Sequence, residues 1–439
     1  MSKSWDVIII GGGLAGYVAA TFVAKANLSV LLLEKGKKVG GRARTDILSD
    51  QYFNLGPHAL YKNGEAKKIL TELGLTLDGK SPKLHGILVE NNKEYAAPFA
   101  PVELFSTKYL NWKEKIEWLS ILMKIRGLKP DEYANQTFQQ FVNQFAKSEK
   151  NRALLYTLAR LSAYCHAPEM VSAKVIISQI QTGMSGVIYL NNGWQMMIDQ
   201  LHNKAIVSGV KIQEKTSAQQ IIPLENDQVK IRTSNDEVFY AKHVISTTGP
   251  HELSKMIPKN NTYDTDHFLS EVTPLKGATL DIALNELPCP KRLFAMGLTN
   301  KIYYSVHSTY AQLSKTGLSH VLHVFKYHHP NDSLDPIEIK NELEHFLEQM
   351  QPRWREYEIS SRFLPNIIVN QRLPLVGDEQ RLQRLKLNDS GIYVSGDWVS
   401  PDSILSEGAI SSAKRAAHTI IDKEKRSKSA DHKRRIHAI

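Results

Sequence analysis

Residues 7–10 read Val-Ile-Ile-Ile and residues 30–33 read Val-Leu-Leu-Leu, two short runs that are apolar at every position. Such runs suit strands covered on both faces, as in a parallel sheet between helices. Between them residues 16–26 are rich in alanine, so the first 34 residues predict a β-α-β unit. The same stretch carries no charge from Val7 to Ala24, a length that also invites a membrane span or a signal segment. Three consecutive glycines, Gly11 to Gly13, argue against that, because each costs roughly 1 kcal/mol relative to alanine inside a helix. Strand, turn and helix describe the run better.

From about residue 98 to 186 the pattern becomes helical, with Trp112, Ile116, Trp118, Leu119, Leu122 and Met123 dense on one segment, 110–128. Alternation at 229–232 and 238–240 around Ser-Asn-Asp predicts a hairpin, and a further apolar run follows at 244–248. Residues 278–284, 301–306 and 320–327 predict a second, antiparallel sheet with one face buried. A last short strand is expected at 392–395, then a helix from Gly408 to about Ile421.

Composition narrows the class. With 439 residues, 42% hydrophobic and 23% charged, the chain is globular and long enough for two domains. Cys165 and Cys289 are the only cysteines, which excludes a disulfide framework and suits a reducing, cytoplasmic setting. The net charge of +10 is concentrated at the end, where 423–439 holds seven Lys/Arg against two acids. That tail is expected to be a solvated, disordered end, with a foot on an anionic membrane or an RNA contact as alternatives. The body gives no argument for nucleic acid. His320, His323, His328 and His329 cluster, but without an acid at ligand spacing they predict no metal site.

The chemistry begins at DVIIIGGGLAG. Gly11, Gly13 and Gly16 stand in GxGxxG spacing directly after a strand and at a helix start, with Leu14 and Ala15 between them. The first glycine permits the turn, the second lets N–H groups approach a pyrophosphate, and the third allows helix to pack on strand. Glu34, followed by Lys35, ends the second strand, where a carboxylate accepts from a ribose diol. Dinucleotide binding follows, and Glu34 disfavours a 2′-phosphate.

The next residues, EKGKKVGGRART, resemble the flavin amine oxidase superfamily, which includes phytoene desaturase-like carotenoid desaturases and protoporphyrinogen oxidases. The resemblance implies an α/β fold, with a Rossmann-like FAD-binding domain of the GR2 type and a second substrate domain of antiparallel sheet plus helices. It places Gly40, Gly41 and Arg42 along the pyrophosphate of a non-covalent FAD. In FNLGPHALY it sets Gly56, Pro57 and His58 beside the flavin, His58 being either a packed or a mechanistic histidine. It puts Ala218 at the adenine, on a strand within 209–221. In GIYVSGDWVSPDSILSEGAISSAKRAA it gives Gly396 and Asp397 to the ribityl or phosphate end, and Glu407, Gly408 and Ala409 to a helix start aimed at the flavin. The implied division is 1–90, 187–270 and 365–422 for FAD, 91–186 and 271–364 for substrate, and 423–439 for the tail.

Two departures steer the function. Leu405 stands where the amine oxidases carry a cage aromatic, and Asn192 replaces the first glycine of a pair. The resemblance then leans to an FAD-dependent oxidoreductase that removes a hydride from a C–H bond of a hydrophobic small molecule and passes electrons to oxygen, a quinone or another acceptor. Alternatives are a flavin amine oxidase and a non-catalytic lipid or prenyl carrier of the GDP-dissociation-inhibitor type. Catalytic residues are not readable. The segment 110–128, with lysines between its tryptophans, is either a cap on the substrate domain or a peripheral membrane contact.

Overall fold

The computed structural model describes residues 4–83, 85–225, 227–258, 265–385, 387 and 390–437. Two seven-stranded sheets organise the chain. In the first, Lys211–Gln213, Val30–Leu33, Ser4–Ile10 and Val238–Ser246 lie side by side in parallel. The upper half of Val238–Ser246 pairs in parallel with Ile392–Val394, while its lower half continues antiparallel into Val229–Thr233 and Ala218–Pro223. The predicted β-α-β unit is therefore present, as strand, helix Leu14–Lys25 and strand. The runs at 238–240 and 244–248 are one strand, and 209–221 divides into two.

Helix Leu14–Lys25 is buried along its whole length except Lys25, which explains its alanines. It is clasped between Gln195–Val207 and the last helix, Leu405–His437, and only small side chains let three helices approach this closely over one sheet. Gly16 sits at the tightest point, since a Cβ there would overlap the Gly11 carbonyl oxygen.

The second sheet runs Glu358–Asn370, Leu275–Leu284, His320–Tyr327, Ile302–Val306, Phe294–Gly297, Ile87–Glu90 and Lys93–Ala96. It is antiparallel except where Ile87–Glu90 lies parallel to Phe294–Gly297. Ile87–Glu90 thus joins the second sheet, although the expected boundary at residue 90 put it with the first. Helices between Pro101 and Gly183 pack on one face and Pro336–Met350 on the other.

The end of the chain differs most from expectation. Leu405–His437 is a single helix of 33 residues, so the basic segment continues a helix instead of fraying at Asp422. Lys, Glu, Arg and Ala are strong helix formers, and a packed first half nucleates the rest. Glu424 is also buried, accepting from His243 Nε2 at 2.9 Å and from Lys242 Nζ at 3.3 Å.

Burial alone would raise the Glu424 pKa, but His243 and Lys242 outweigh it and hold the carboxyl below its ordinary 4.5. A lowered folded-state pKa contributes stability above the unfolded value and loses it as pH falls through the folded one. Glu424→Gln is therefore expected to cost about 1–3 kcal/mol in urea denaturation at pH 7 and little at pH 3. An equal cost at both pH values would show that the charge is not what matters. Gly16→Ala is expected to lose about 2–4 kcal/mol in the same assay, because the overlap is with backbone that cannot move aside.

Candidate functional site: a dinucleotide cradle opening into an apolar cavity

A cavity of about 1210 Å³ runs from the carboxyl ends of the first sheet to the helices over the second. At one end it is lined by Gly11 to Ala15, Glu34, Lys35, Gly40 to Ala43, Thr216 to Gln219 and Thr247 to Gly249. These loops follow parallel strands, where helix N-termini and free backbone N–H groups collect. A Cβ on Gly13 would find only the Gly40 carbonyl oxygen, at 3.9 Å, so it would project into open space. That is the room a pyrophosphate needs against backbone.

Glu34 closes this end. Its Oε2 accepts from Gly12 N at 2.7 Å and its Oε1 from Gly36 N at 2.7 Å, so the side chain is fixed before any ligand arrives. Arg42 and Asp397 stand together. Arg42 Nη1 donates to Asp397 Oδ2 at 2.6 Å and Nη2 to Oδ1 at 2.8 Å, while Nη1 also reaches Val369 O at 3.0 Å. Arg42, expected along the pyrophosphate, and Asp397, expected at the ribityl or phosphate end, form one bidentate pair in the cavity wall.

His58 lines the cavity beside Pro57. Its Nδ1 faces Gly56 O at 2.9 Å and its Nε2 faces Arg42 O at 3.2 Å, with the Trp194 ring at 4.7 Å. Burial pushes its pKa down to about 4, so the ring is neutral at neutral pH and its one N–H serves one of two carbonyls. The packed role accounts for all of this geometry.

Ala218, Gly396, Asp397 and Ala409 line the cavity as expected; Gly16, Gly56, Glu407 and Gly408 do not. Gly16 packs helix on strand. Gly56 is buried at φ +86°, with Ile367 and Thr279 around its Cα. The last helix starts at Leu405, not at Gly408, and Gly408 N already donates to Ile404 O at 3.1 Å, so it cannot point at a ligand. Glu407 turns away and accepts from Ala66 N at 2.9 Å, capping the helix Glu65–Glu72, and burial raises its pKa. An open helix N-terminus elsewhere in the fold thus takes this carboxylate. Asn192 is left-handed at φ +62°, and the residue that reaches the cavity from its loop is Trp194.

The sequence did not point to Trp194, whose buried Nε1 has no hydrogen-bond partner, nor to Thr247, whose Oγ1 donates to Ile10 O at 2.8 Å. Nor did it point to Arg362, which bonds Asp46 at 2.9 Å, Asp281 at 2.6 Å and the Asn54 carbonyl. None carries a local motif. Their partners lie up to 316 residues away.

Glycine turn, ribose acid, arginine and last-strand carboxylate around one cavity define a dinucleotide-binding flavoprotein of the Rossmann-like type. The family model described as flavin containing amine oxidoreductase matches residues 14–421, and the chain belongs to that family. Amine oxidase (flavin-containing) B of Mus musculus is 27% identical over 274 residues, covering 57% of this chain and 51% of that protein. The 4,4′-diaponeurosporene oxygenase of Staphylococcus haemolyticus (strain JCSC1435) is 23% identical over 276 residues, covering 55% and 54%. The chain spans a little over half the length of the curated relatives it matches. Among solved structures, cyclohexylamine oxidase from Brevibacterium oxydans IH-35A aligns at a TM-score of 0.72 and 15% identity over 96% of this chain and 100% of that one. Membership makes the chain a flavin-dependent oxidoreductase with FAD as cofactor, and it favours an enzyme over the flavin-free carrier.

The cradle fits FAD on its own terms: open space over Gly13, a fixed Glu34, and an unpartnered Trp194 N–H in the wall. Glu34→Ala is expected to weaken FAD binding by about 1–3 kcal/mol, since a charged acceptor and the order of the Gly12 turn are lost together. Titrating FAD into both cofactor-free proteins measures it. Equal affinities would remove Glu34 from the ribose site.

Proposed function

We propose that the chain removes a hydride from a C–H bond of a hydrophobic small molecule and passes the electrons to oxygen, a quinone or another acceptor. The observation that carries this is the far half of the cavity, walled by Leu158, Leu161, Tyr164, Ile180, Met184 and Phe325. The acids among the described lining residues are Glu34, Glu252 and Asp397, all beside the dinucleotide loops. An ammonium substrate entering the far half would meet no carboxylate there and would leave its hydration shell uncompensated. Leu405, at the cavity wall where an amine-caging aromatic was expected, adds an apolar surface instead.

FAD, when bound, would supply the hydride acceptor. Gly13, Glu34, Arg42 and Ala218 would hold its dinucleotide. Gly396, Asp397, Pro57 and His58 would border the ribityl and flavin end. The chain's own part is to orient the substrate C–H bond and to exclude water, which the apolar wall does. Part of this proposal is that such a substrate is delivered at a membrane surface.

An amine substrate is the second reading, favoured by the several tyrosines in the wall, among them Tyr61, Tyr164, Tyr189 and Tyr303, whose ring faces attract cations. Two measurements separate the readings. The purified protein is expected to be yellow, with FAD released by acid precipitation and recovered in the supernatant; a colourless chain that takes up no added FAD sinks the proposal. Anaerobic mixing with carotenoid precursors, porphyrinogens and primary amines is then expected to bleach the flavin with a hydrophobic hydrocarbon or porphyrinogen donor. Bleaching by amines alone would select the second reading.

A further inference from the structure

The helix Trp112–Gly127 has two apolar faces. Trp118, Ile121 and Ile125 point into the core and are buried. On the opposite side Trp112, Ile116, Leu119 and Met123 recur at one-turn spacing, and Val102 and Phe105 of the neighbouring helix Pro101–Ser106 join them. These six large side chains are between 44% and 72% exposed. A contiguous exposed patch of this kind marks a surface that meets something apolar.

The charges around it say what. Glu114 and Glu117 are turned inward. Glu114 accepts from Asn111 N at 2.8 Å and Ser148 Oγ at 2.9 Å, and Glu117 from Lys147 N at 2.5 Å and Asn151 Nδ2 at 3.0 Å. Both acids are therefore used at helix starts, their own and that of Glu149–Ala163. Most cations remain outside: Lys113 and Lys124 flank the stripe on one side and Arg126 on the other, Lys108 lies between the two helices, and half-buried Lys115 donates to Phe105 O at 2.7 Å. An apolar stripe rimmed by cations, with the acids withdrawn, matches the boundary of an anionic bilayer, where acyl chains lie below a negative headgroup layer. A soluble partner would have to present a matching acidic rim around its own apolar centre, whereas an anionic bilayer offers both at any point of its surface.

The same helix also borders the cavity. Leu122 and Arg126 line it, together with Phe99, and Leu122 adjoins the exposed Met123. We propose that the outer face of Pro101–Ser106 and Trp112–Gly127 docks on an anionic membrane and sets the cavity mouth at the lipid surface. The surface follows from exposure and charge and holds whatever the substrate; its link to delivery rests on the hydrophobic reading above.

The test is flotation of the full-length, FAD-loaded protein with vesicles of phosphatidylcholine alone and of phosphatidylcholine with one quarter phosphatidylglycerol. Binding is expected to the anionic vesicles, to weaken with salt, and to shift tryptophan emission to shorter wavelength. The triple variant Trp112→Ser, Ile116→Ser, Met123→Ser is expected to lose tenfold or more in vesicle affinity while keeping its flavin spectrum and melting temperature, because all three side chains point to solvent. A truncation at Asp422, which removes the basic end of the last helix, is expected to retain most of the binding. Absence of vesicle binding, undiminished binding by the triple variant, or loss on truncation alone would each overturn the proposal. So would a vesicle-free dimer in sedimentation that the triple variant abolishes, since the face would then meet a second copy of the chain.

Discussion

Asp397 is a carboxylate whose side chain is 2% exposed, and much of the cofactor end rests on how that charge is compensated. Arg42 meets both of its oxygens, and Gln371 N donates to Oδ2 at 3.0 Å. A third bond ties Arg42 to Val369 O. One ion pair therefore binds the turn after the second strand, the end of the longest strand and the loop before the last helix. Removing Arg42 would leave the buried Asp397 charge without its counterion, typically a loss of about 3–5 kcal/mol. The pair does not have to add net stability to matter: it fixes three chain segments, distant in sequence, at one wall of one cavity.

A second arginine does the same at the other end of that strand. Arg362 lies over the Phe53 ring at 5.5 Å and holds Asp46, Asp281 and the Asn54 carbonyl. Asp281, fully buried, also receives His323 Nδ1 at 2.7 Å and Thr279 Oγ1 at 2.7 Å. Burial would raise its pKa, but His323 and Arg362 more than offset that and keep it lowered, so it stays a carboxylate. The loop with Gly56, Pro57 and His58 is therefore anchored behind by a buried polar cluster centred on Asp281 and Arg362. Glu358–Asn370 thus bonds to the cofactor loops near each of its ends, through Arg42 at Val369 and through Arg362, and ties the cradle to the cavity wall.

The β-α-β unit and its glycines were legible because their requirements are local: a strand, a tight turn and a helix start within a few residues. Gly13 and Glu34 stand out for that reason, whereas Arg42 came from the resemblance to a family. What stayed hidden depends on contacts across the chain. The resemblance put a helix start at Gly408, yet Asn370 Oδ1 accepts from Leu405 N and the helix starts three residues earlier, with Leu405 itself left-handed at φ +59°. Glu407 looked like a cofactor residue, yet the start of Glu65–Glu72 takes it. The basic end looked solvated by composition, and a single buried acid, Glu424, ties it to His243. Ile87–Glu90 gave no sign that its parallel partner lay two hundred residues on. A one-sided pattern can announce a strand, but not which edge it will join.

The charges of the cavity divide along its length, and that division follows from the fold. The helix start at Leu14 and the cations Lys35 and Arg42 stand at the dinucleotide end, where parallel strands deliver backbone N–H groups. Two of the three acids there are already bonded, Glu34 to the glycine turn and Asp397 to Arg42, so they shape the loops. Beyond the flavin position the wall is mostly aromatic and aliphatic, and the charged side chain that reaches it from the helix Trp112–Gly127 is a cation, Arg126. On the reading proposed above, hydride loss would leave positive charge on the substrate in a region without a fixed anion. Only a substrate that spreads that charge over its own conjugated bonds, or over facing ring electrons, suits such a wall. On that reading the electrostatics of the cavity favour a conjugated substrate, as its apolar wall favours a hydrophobic one.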